Sequence, residues 1–306
     1  MPQTLQYRPT LIDGLISAQR ISSYQQVFKP SNDVELMGVY LWNSHVCGAI
    51  FPLVAAAEIM LRNAIDQALR AHLGNFWWAA ARLRYSSFTA GTPPPYAVKG
   101  VIDNFVKATN KYKQEQRSRY NVRGHVVPNH HGVVAKTEFS TWGFLLDDEF
   151  MGNHLIWPSR LGSVFAGPWP STHASTVLSH ARDLVTTVRD FRNRLFHHEP
   201  AWKRFGVRTE AQALAHLLEK IGKIESLVAL VHPEGLRLLE RNGLMARARR
   251  ACTSTEIRRF QHLAQTHVIG PEPQLEVLIA LCHGKDTPLL AKLAVEPHST
   301  VLISPP

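Results

Sequence analysis

The side chains best suited to chemistry lie in residues 188–200. Arg192, Asn193 and His197 stand there in the order Arg-Asn-x-x-x-His, followed by His198, Glu199 and Pro200. A cation, an amide and an imidazole that titrates near neutral pH are the minimum set for cutting RNA without a metal. The ribose 2′-hydroxyl is itself the nucleophile, so the protein need only activate it, hold the phosphate and protonate the leaving oxygen. On a helix, Asn193 and His197 are four apart and share a face. Arg192 lies about 140° around from His197, within curling reach of a common phosphate. Chance supplies about one Arg five residues before a His in a chain this long, but only about 0.04 when Asn must follow the Arg. Spacing alone leaves a second reading open, a helix end with a capping His and Arg–Glu surface pairs.

Other clusters carry two readings each. Glu58 and Arg62 are four apart, with Asn63 beside them; they either orient the motif and bind phosphate, or form an internal ion pair that fixes two helices. His198 either shares a proton with His197 or caps the helix. The basic run Lys107 to Arg123 includes Lys111, Lys113 and Arg117 with Tyr112 and Tyr120 among them. It reads as an RNA track with stacking rings or as a solvated helix face. Arg247, Arg249, Arg250, Arg258 and Arg259 carry the same ambiguity. His125, His130 and His131 match no metal-ligand spacing and fall in a stretch expected to be exposed, so neither a metal nor a cofactor is expected. A phosphate loop, a dinucleotide fingerprint and a nucleophile elbow are all missing, which leaves ATPase, dehydrogenase and hydrolase readings unsupported.

The elements that must position these residues are helical. Apolar residues recur at i, i+3, i+4 from Leu11 to Ile21 and again from Val39 to Leu73, where Pro52 begins or kinks a helix and Gly74 ends one. Asn75-Phe-Trp-Trp78 is expected to plug that helix end against the core. Residues 89–96 form a Pro/Gly loop, a helix runs from Val98 to Arg117, residues 121–135 are irregular, and a short helix spans Thr137 to Leu146. After a second loop, a long helix covers Ser175 to His198 and stops at Glu199-Pro200, because proline disfavours helical geometry in the residue before it. Helices at Glu210 to Val231 and Pro233 to Arg250 follow. The proline-rich tail is expected to be a helical extension, giving an all-α chain with domains at 1–250 and 251–306.

The 306 residues include 34 Lys plus Arg against 24 Asp plus Glu, a surplus of +10 that favours a polyanionic partner such as nucleic acid. Three cysteines far apart exclude a disulfide framework and fit a reducing compartment. Residues 1–20 lack a basic start followed by an unbroken apolar run, and Val46 to Leu61 reads as too short to span a bilayer. A soluble, cytoplasmic protein with no membrane partner is expected.

Six stretches, in order, resemble the Abi-like (abortive infection) family, whose core is a HEPN-type helical bundle. They are Ile21-Ser-Ser-Tyr24, Val39-Tyr-Leu-Trp-Asn43, Ala57-Glu-Ile-Met-Leu-Arg-Asn63, Gly74-Asn-Phe-Trp-Trp78, Phe139-Ser-Thr-Trp-Gly-Phe144 and Arg192-Asn-Arg-Leu-Phe-His-His-Glu-Pro200. The likeness covers roughly residues 5–245. It implies a metal-independent endoribonuclease of antiphage defence, an abortive-infection or toxin–antitoxin protein, in which Arg192, Asn193 and His197 match the catalytic motif. Such proteins pair two motifs in one cleft. Here Arg62-Asn63 echoes Arg192-Asn193, but position 67 is Gln rather than His, so one chain holds one complete motif. A homodimer is the implied assembly, with an RNA or protein antitoxin as a further partner. Phe191 and Phe196 are bulkier than the family's usual residues there. The alternative class is a non-catalytic RNA-binding or phage-sensing module that uses the same motif to hold phosphate.

Overall fold

The computed structural model describes residue 14, residues 16–79 and residues 82–261 in full, and the backbone of residues 266–269, 289–293 and 300–303. The expected positions Leu11, Leu15 and Cys282 lie outside them. The chain is all-α in class, with eleven α-helices among the described residues. These are α1 (Ala18–Phe28), α2 (Asp33–Leu73), α3 (Tyr96–Ser118), α4 (His130–Val134), α5 (Phe139–Phe144), α6 (Leu161–Val164), α7 (Ala174–Phe196), α8 (Glu210–Val231), α9 (Pro233–Arg241), α10 (Leu244–Ala251) and α11 (Ser254–Phe260). The chain divides into two compact units. One holds Met1–Ile50, His198–Glu219 and Met245–Pro306; the other holds Phe51–His197 and Lys220–Leu244.

At 41 residues, α2 is the longest helix. Asn32 Oδ1 accepts from the Glu35 amide at 3.0 Å while Glu35 reaches back to the Ser31 amide at 2.7 Å, a reciprocal cap. Gly74, at φ +78°, ends the helix with its amide on the Arg70 carbonyl at 2.8 Å. No helix begins at Pro52, contrary to one sequence expectation; it lies inside α2. As a result α2 is long and apolar enough to cross a membrane by length and composition, which corrects the reading of its apolar stretch as too short. Its stripe Leu36, Val39, Val46, Ile50, Leu53, Val54, Ala57, Leu61 and Ile65 is buried within the protein.

In the first unit, Trp202 meets Tyr24 and Phe28 edge-on at 5.1 and 5.0 Å, and Phe28 meets Trp42 at 5.5 Å. The buried Asn43 accepts from the Ala201 amide at 2.9 Å, and the Trp42 indole donates to the Ala251 carbonyl at 2.8 Å. A Cβ on Gly38 would fall 2.3 Å from the Phe260 carbonyl, so only glycine lets α2 and the end of α11 approach this closely. Ala251, Cys252 and Ile257 are core residues. The expected domain boundary after residue 250 therefore falls inside α10, not at a linker.

In the second unit, residues 75–78 plug the end of α2 as expected: Trp78 stacks on Phe105 at 4.2 Å and Trp77 meets the same ring edge-on at 5.1 Å. The Trp77 indole donates to Asp66 at 2.9 Å. Both α3 and α7 pack on α5, whose Trp142 is fully buried.

Three expectations change. Residues 121–135 include the short helix α4, started by Asn129 capping the Gly132 amide at 3.0 Å. The helix expected over Pro233 to Arg250 is two, α9 and α10, because Gly243 turns the chain at φ +68°. The tail expected to be helical carries strands β1 (Thr266–Ile269), β2 (Leu289–Leu293) and β3 (Thr300–Ile303), with β1 parallel and β3 antiparallel to β2. Apolar runs of four or five residues separated by prolines, with Val and Ile in β1 and β3, suit strands better than an amphipathic stripe.

Replacing Asn43 by Ala strands the buried Ala201 amide. It is expected to lower stability by about 1–3 kcal/mol, seen as a lower urea midpoint at unchanged slope.

Candidate functional site

The motif sits at the rim of α7. Val177, Leu178, Ala181, Leu184, Val185, Val188, Phe191 and Leu195 form the buried stripe of that helix. The same periodicity leaves Arg192 half-buried and turns Asn193, Phe196 and His197 outward. The helix ends at Phe196. His197 is its C-cap, at φ −83° and ψ 9°, with its amide on the Asn193 carbonyl at 3.0 Å. The imidazole thus stands one residue beyond the last turn, not within it. His198 follows in the left-handed region at φ +53°, the position glycine usually takes, and its carbonyl accepts from the Arg20 guanidinium. His198 is therefore fixed through its backbone.

Arg192 is held from three sides. Its Nε lies 3.5 Å from Glu58 Oε2 on α2, its guanidinium stacks 4.1 Å over the Phe196 ring, and Nη1 donates to Asn193 Oδ1 at 3.4 Å. Burial pushes the Glu58 carboxyl above its ordinary value, opposed by the positive charges of Arg192 and Arg62. Sequence spacing paired Glu58 only with Arg62; the fold makes it the carboxylate between two arginines on two helices. The Nε atoms of Arg62 and Arg192 are buried and find no hydrogen-bond acceptor, so the 3.5 Å contact is an ion pair without a hydrogen bond. Asn63 is exposed.

One feature beside the motif is not legible from spacing. Phe51 of α2 meets Phe196 edge-on at 5.1 Å, and both rings stay exposed, at 41% and 46%. The available signal was Phe196 four residues after Arg192, on one helix face.

The basic run on α3 is less unified than its sequence suggests. Lys111 pairs with Glu138 at 3.4 Å, while Lys113 and Arg117 lie on another face by helical geometry. Tyr112 is a packing residue: a Cβ on Gly132 would lie 2.3 Å from its ring. Tyr120 is exposed, with the Arg119 guanidinium 5.8 Å from its ring. The helix that carries Lys111, Lys113 and Arg117 packs on α4 and α5, and the motif helix α7 packs on α5.

His130 is buried, correcting its expected exposure; His125 and His131 are exposed. Ligand atoms of Asp66, His130 and His131 lie within 4.8 Å of one another, a spacing that fits a metal. Protein groups already engage those atoms. His130 Nδ1 accepts from the Phe76 amide at 3.0 Å and Nε2 faces Asp66 at 3.1 Å, while Arg70 stands 2.7 Å from His131 Nε2. Cys47 and Cys252 are free thiols pushed up to about 11 and about 12 by burial, which keeps both protonated at neutral pH.

No protein-family model, curated protein or solved structure matches this chain. The functional reading rests on its own residues.

Because folding raises the Glu58 carboxyl above 4.5, its protonated form contributes stability that is lost as pH rises through the raised value. Glu58→Gln removes that loss. The urea midpoint of the wild type, measured relative to Glu58→Gln, should fall as pH rises from 4.5 and then level off. A difference moving in favour of the wild type would show that the Arg192 pairing outweighs burial.

Proposed function

We propose that this chain is a metal-independent endoribonuclease of the HEPN type, acting in the cytoplasm in bacterial antiphage defence, as an abortive-infection protein or the toxin of a toxin–antitoxin pair. The observation that carries this reading is the ion pair from Glu58 on α2 to Arg192 on α7. It joins two of the six stretches on which the family resemblance rests, and it holds the motif arginine beside Asn193 and one turn from His197. In this reading Arg192 stabilises the phosphate and its developing charge, Asn193 orients the scissile group, and His197 moves the proton. Glu58, Arg62 and Asn63 support the motif, and Lys111, Lys113 and Arg117 guide the RNA.

Transesterification needs a base at the 2′-hydroxyl and an acid at the 5′-oxygen, on opposite sides of the phosphorus. One imidazole does not reach both. With Gln67 where a second His would stand, a second copy of the chain supplies it. The exposed Phe51 and Phe196 give that contact an apolar surface next to the motif. The +10 charge suits an RNA substrate.

Purified protein is expected to cut a labelled single-stranded RNA in the presence of chelator, leave DNA intact and produce 2′,3′-cyclic phosphate ends. His197→Ala should lose at least ~100-fold in rate while keeping RNA affinity. Binding without cutting by both proteins favours the phosphate-holding, non-catalytic module. Equal cutting by both places the active site elsewhere. The scattering mass of the active species should be that of two chains, and a monomer that cuts RNA would overturn the paired-motif mechanism.

A further inference from the structure

The end of α2 and two later segments of the second unit enclose a cavity of about 440 Å³. Five basic side chains line it: His72 on α2, Arg82 and Arg84 after the aromatic plug, and His154 and Arg160 ahead of α6. The remaining wall is aliphatic, and its Leu69, Leu83 and Ile156 are buried. Among the described residues no carboxylate, amide or hydroxyl side chain lines the cavity, and no Phe, Tyr or Trp ring does. Local contacts hold each part in place. Leu69 and His72 are three apart and share a face of α2. Arg82 Nη1 donates to the Leu73 carbonyl at 3.2 Å and to the Asn75 carbonyl at 2.6 Å, which ties the segment after the plug to the helix end. The turn that carries His154 is closed by the Gly152 amide on the Trp157 carbonyl and the Trp157 amide on the Phe150 carbonyl, both at 2.9 Å.

The guanidiniums of this cavity lack a counter-charge among the described residues. Arg82 spends Nη1 on neutral carbonyls, so its charge is not cancelled and its Nε and Nη2 donors remain. Arg84 is exposed, and its side chain makes no hydrogen bond or ion pair among the described residues. Arg160 is half-buried, with Nε out of solvent and without an acceptor, and it too has no ion pair among them. A guanidinium drawn out of water without a partner costs free energy that an anion beside it offsets. Phosphoryl oxygens only accept hydrogen bonds, which matches a lining rich in donors. One phosphate ester brings a charge of about −1.5 to −2 against three guanidiniums, whereas a diphosphate adds a second phosphoryl group.

We propose that this cavity binds an organic diphosphate, with Arg82, Arg84 and Arg160 on the phosphoryl oxygens and the aliphatic wall on the organic part. The His72 and His154 imidazoles are further donors at the same site. The volume lies in the range of small-molecule pockets. The same chemistry has two sources, the diphosphate of an aliphatic alcohol or a nucleoside diphosphate. The lining favours the first, since it offers neither a ring to stack on a base nor a carboxylate or amide to accept from its amines. Leu69 is eleven residues beyond Glu58 on α2, about 17 Å along the helix axis, and binding here does not depend on RNA being cut.

The test is calorimetric titration of the full chain, in the presence of chelator, with inorganic phosphate, pyrophosphate, ADP and isopentenyl diphosphate. At least one of the two esters should bind about tenfold or more tighter than inorganic phosphate. Arg84→Gln, at an exposed position, should weaken that binding by about tenfold or more. Arg160→Gln should do the same with an unchanged circular-dichroism spectrum; if that variant does not fold, Arg84→Gln decides. Isopentenyl diphosphate binding more tightly than ADP identifies the aliphatic ester as the ligand; the reverse order identifies the nucleotide. Pyrophosphate binding no tighter than phosphate overturns the diphosphate assignment, and pyrophosphate binding as tightly as both esters overturns the role of the aliphatic wall. Absence of saturable binding, or wild-type affinity in every folded variant, overturns the site.

Discussion

A helix of 41 residues that continues through its proline is the constraint on which the rest of the molecule depends. An interior proline removes one backbone hydrogen bond and costs about 3 kcal/mol. The residues around it offset that cost, since Ile50, Leu53 and Val54 are all but fully buried and each such side chain contributes about 1.5–3 kcal/mol. Continuity then decides which residues serve which unit. Before Pro52, α2 gives Gly38, Trp42 and Asn43 to the packing of the first unit. After it, the same helix gives Glu58, Arg62 and Asp66 to the second.

Three buried or half-buried carboxylates show how hydrogen bonding separates architecture from site. Asp66 accepts from the Trp77 indole and faces His130, whose other nitrogen accepts from the Phe76 amide. It closes the aromatic plug at the end of α2. Glu58 and Glu256 are left less complete. Glu58 sits between Arg192 and Arg62 without a hydrogen bond to Arg192 Nε, and both oxygens of Glu256 face Arg259 Nη1 at 3.2 Å with only Oε1 in hydrogen-bond geometry. Each carboxylate holds guanidinium groups in place while using only part of their hydrogen-bonding capacity. A guanidinium has five N–H donors in a fixed fork, so anchoring by one edge still leaves donors for a phosphate.

Packing and polarity around the motif are equally linked. Phe191 and Leu195 bury one side of α7, which turns Arg192 and Phe196 toward the rim, where the guanidinium stacks on the ring. The two phenylalanines therefore differ in role. Phe191 anchors the helix, whereas Phe196 joins Phe51 in an exposed aromatic pair.

Periodicity along the chain was enough to determine the helical class, the loop over residues 89–96 and the plug at residues 75–78. Those features depend on neighbours within a turn or two, where apolar spacing, proline and glycine act directly. The motif itself was also legible, because its residues are consecutive on one helix. What sequence spacing could not decide was which side chain meets which across helices. It paired Glu58 with Arg62 and gave Arg192 no carboxylate partner; it left the α3 basic run open between an RNA track and a solvated face; it carried a helix through Asn242 and Gly243 and expected one in the tail. It also placed His130 in an exposed loop, whereas packing of residues 75–78 against α4 buries it beside Asp66. Tertiary packing decided these points, since the energy of a buried charge is set by the groups brought beside it from distant parts of the chain.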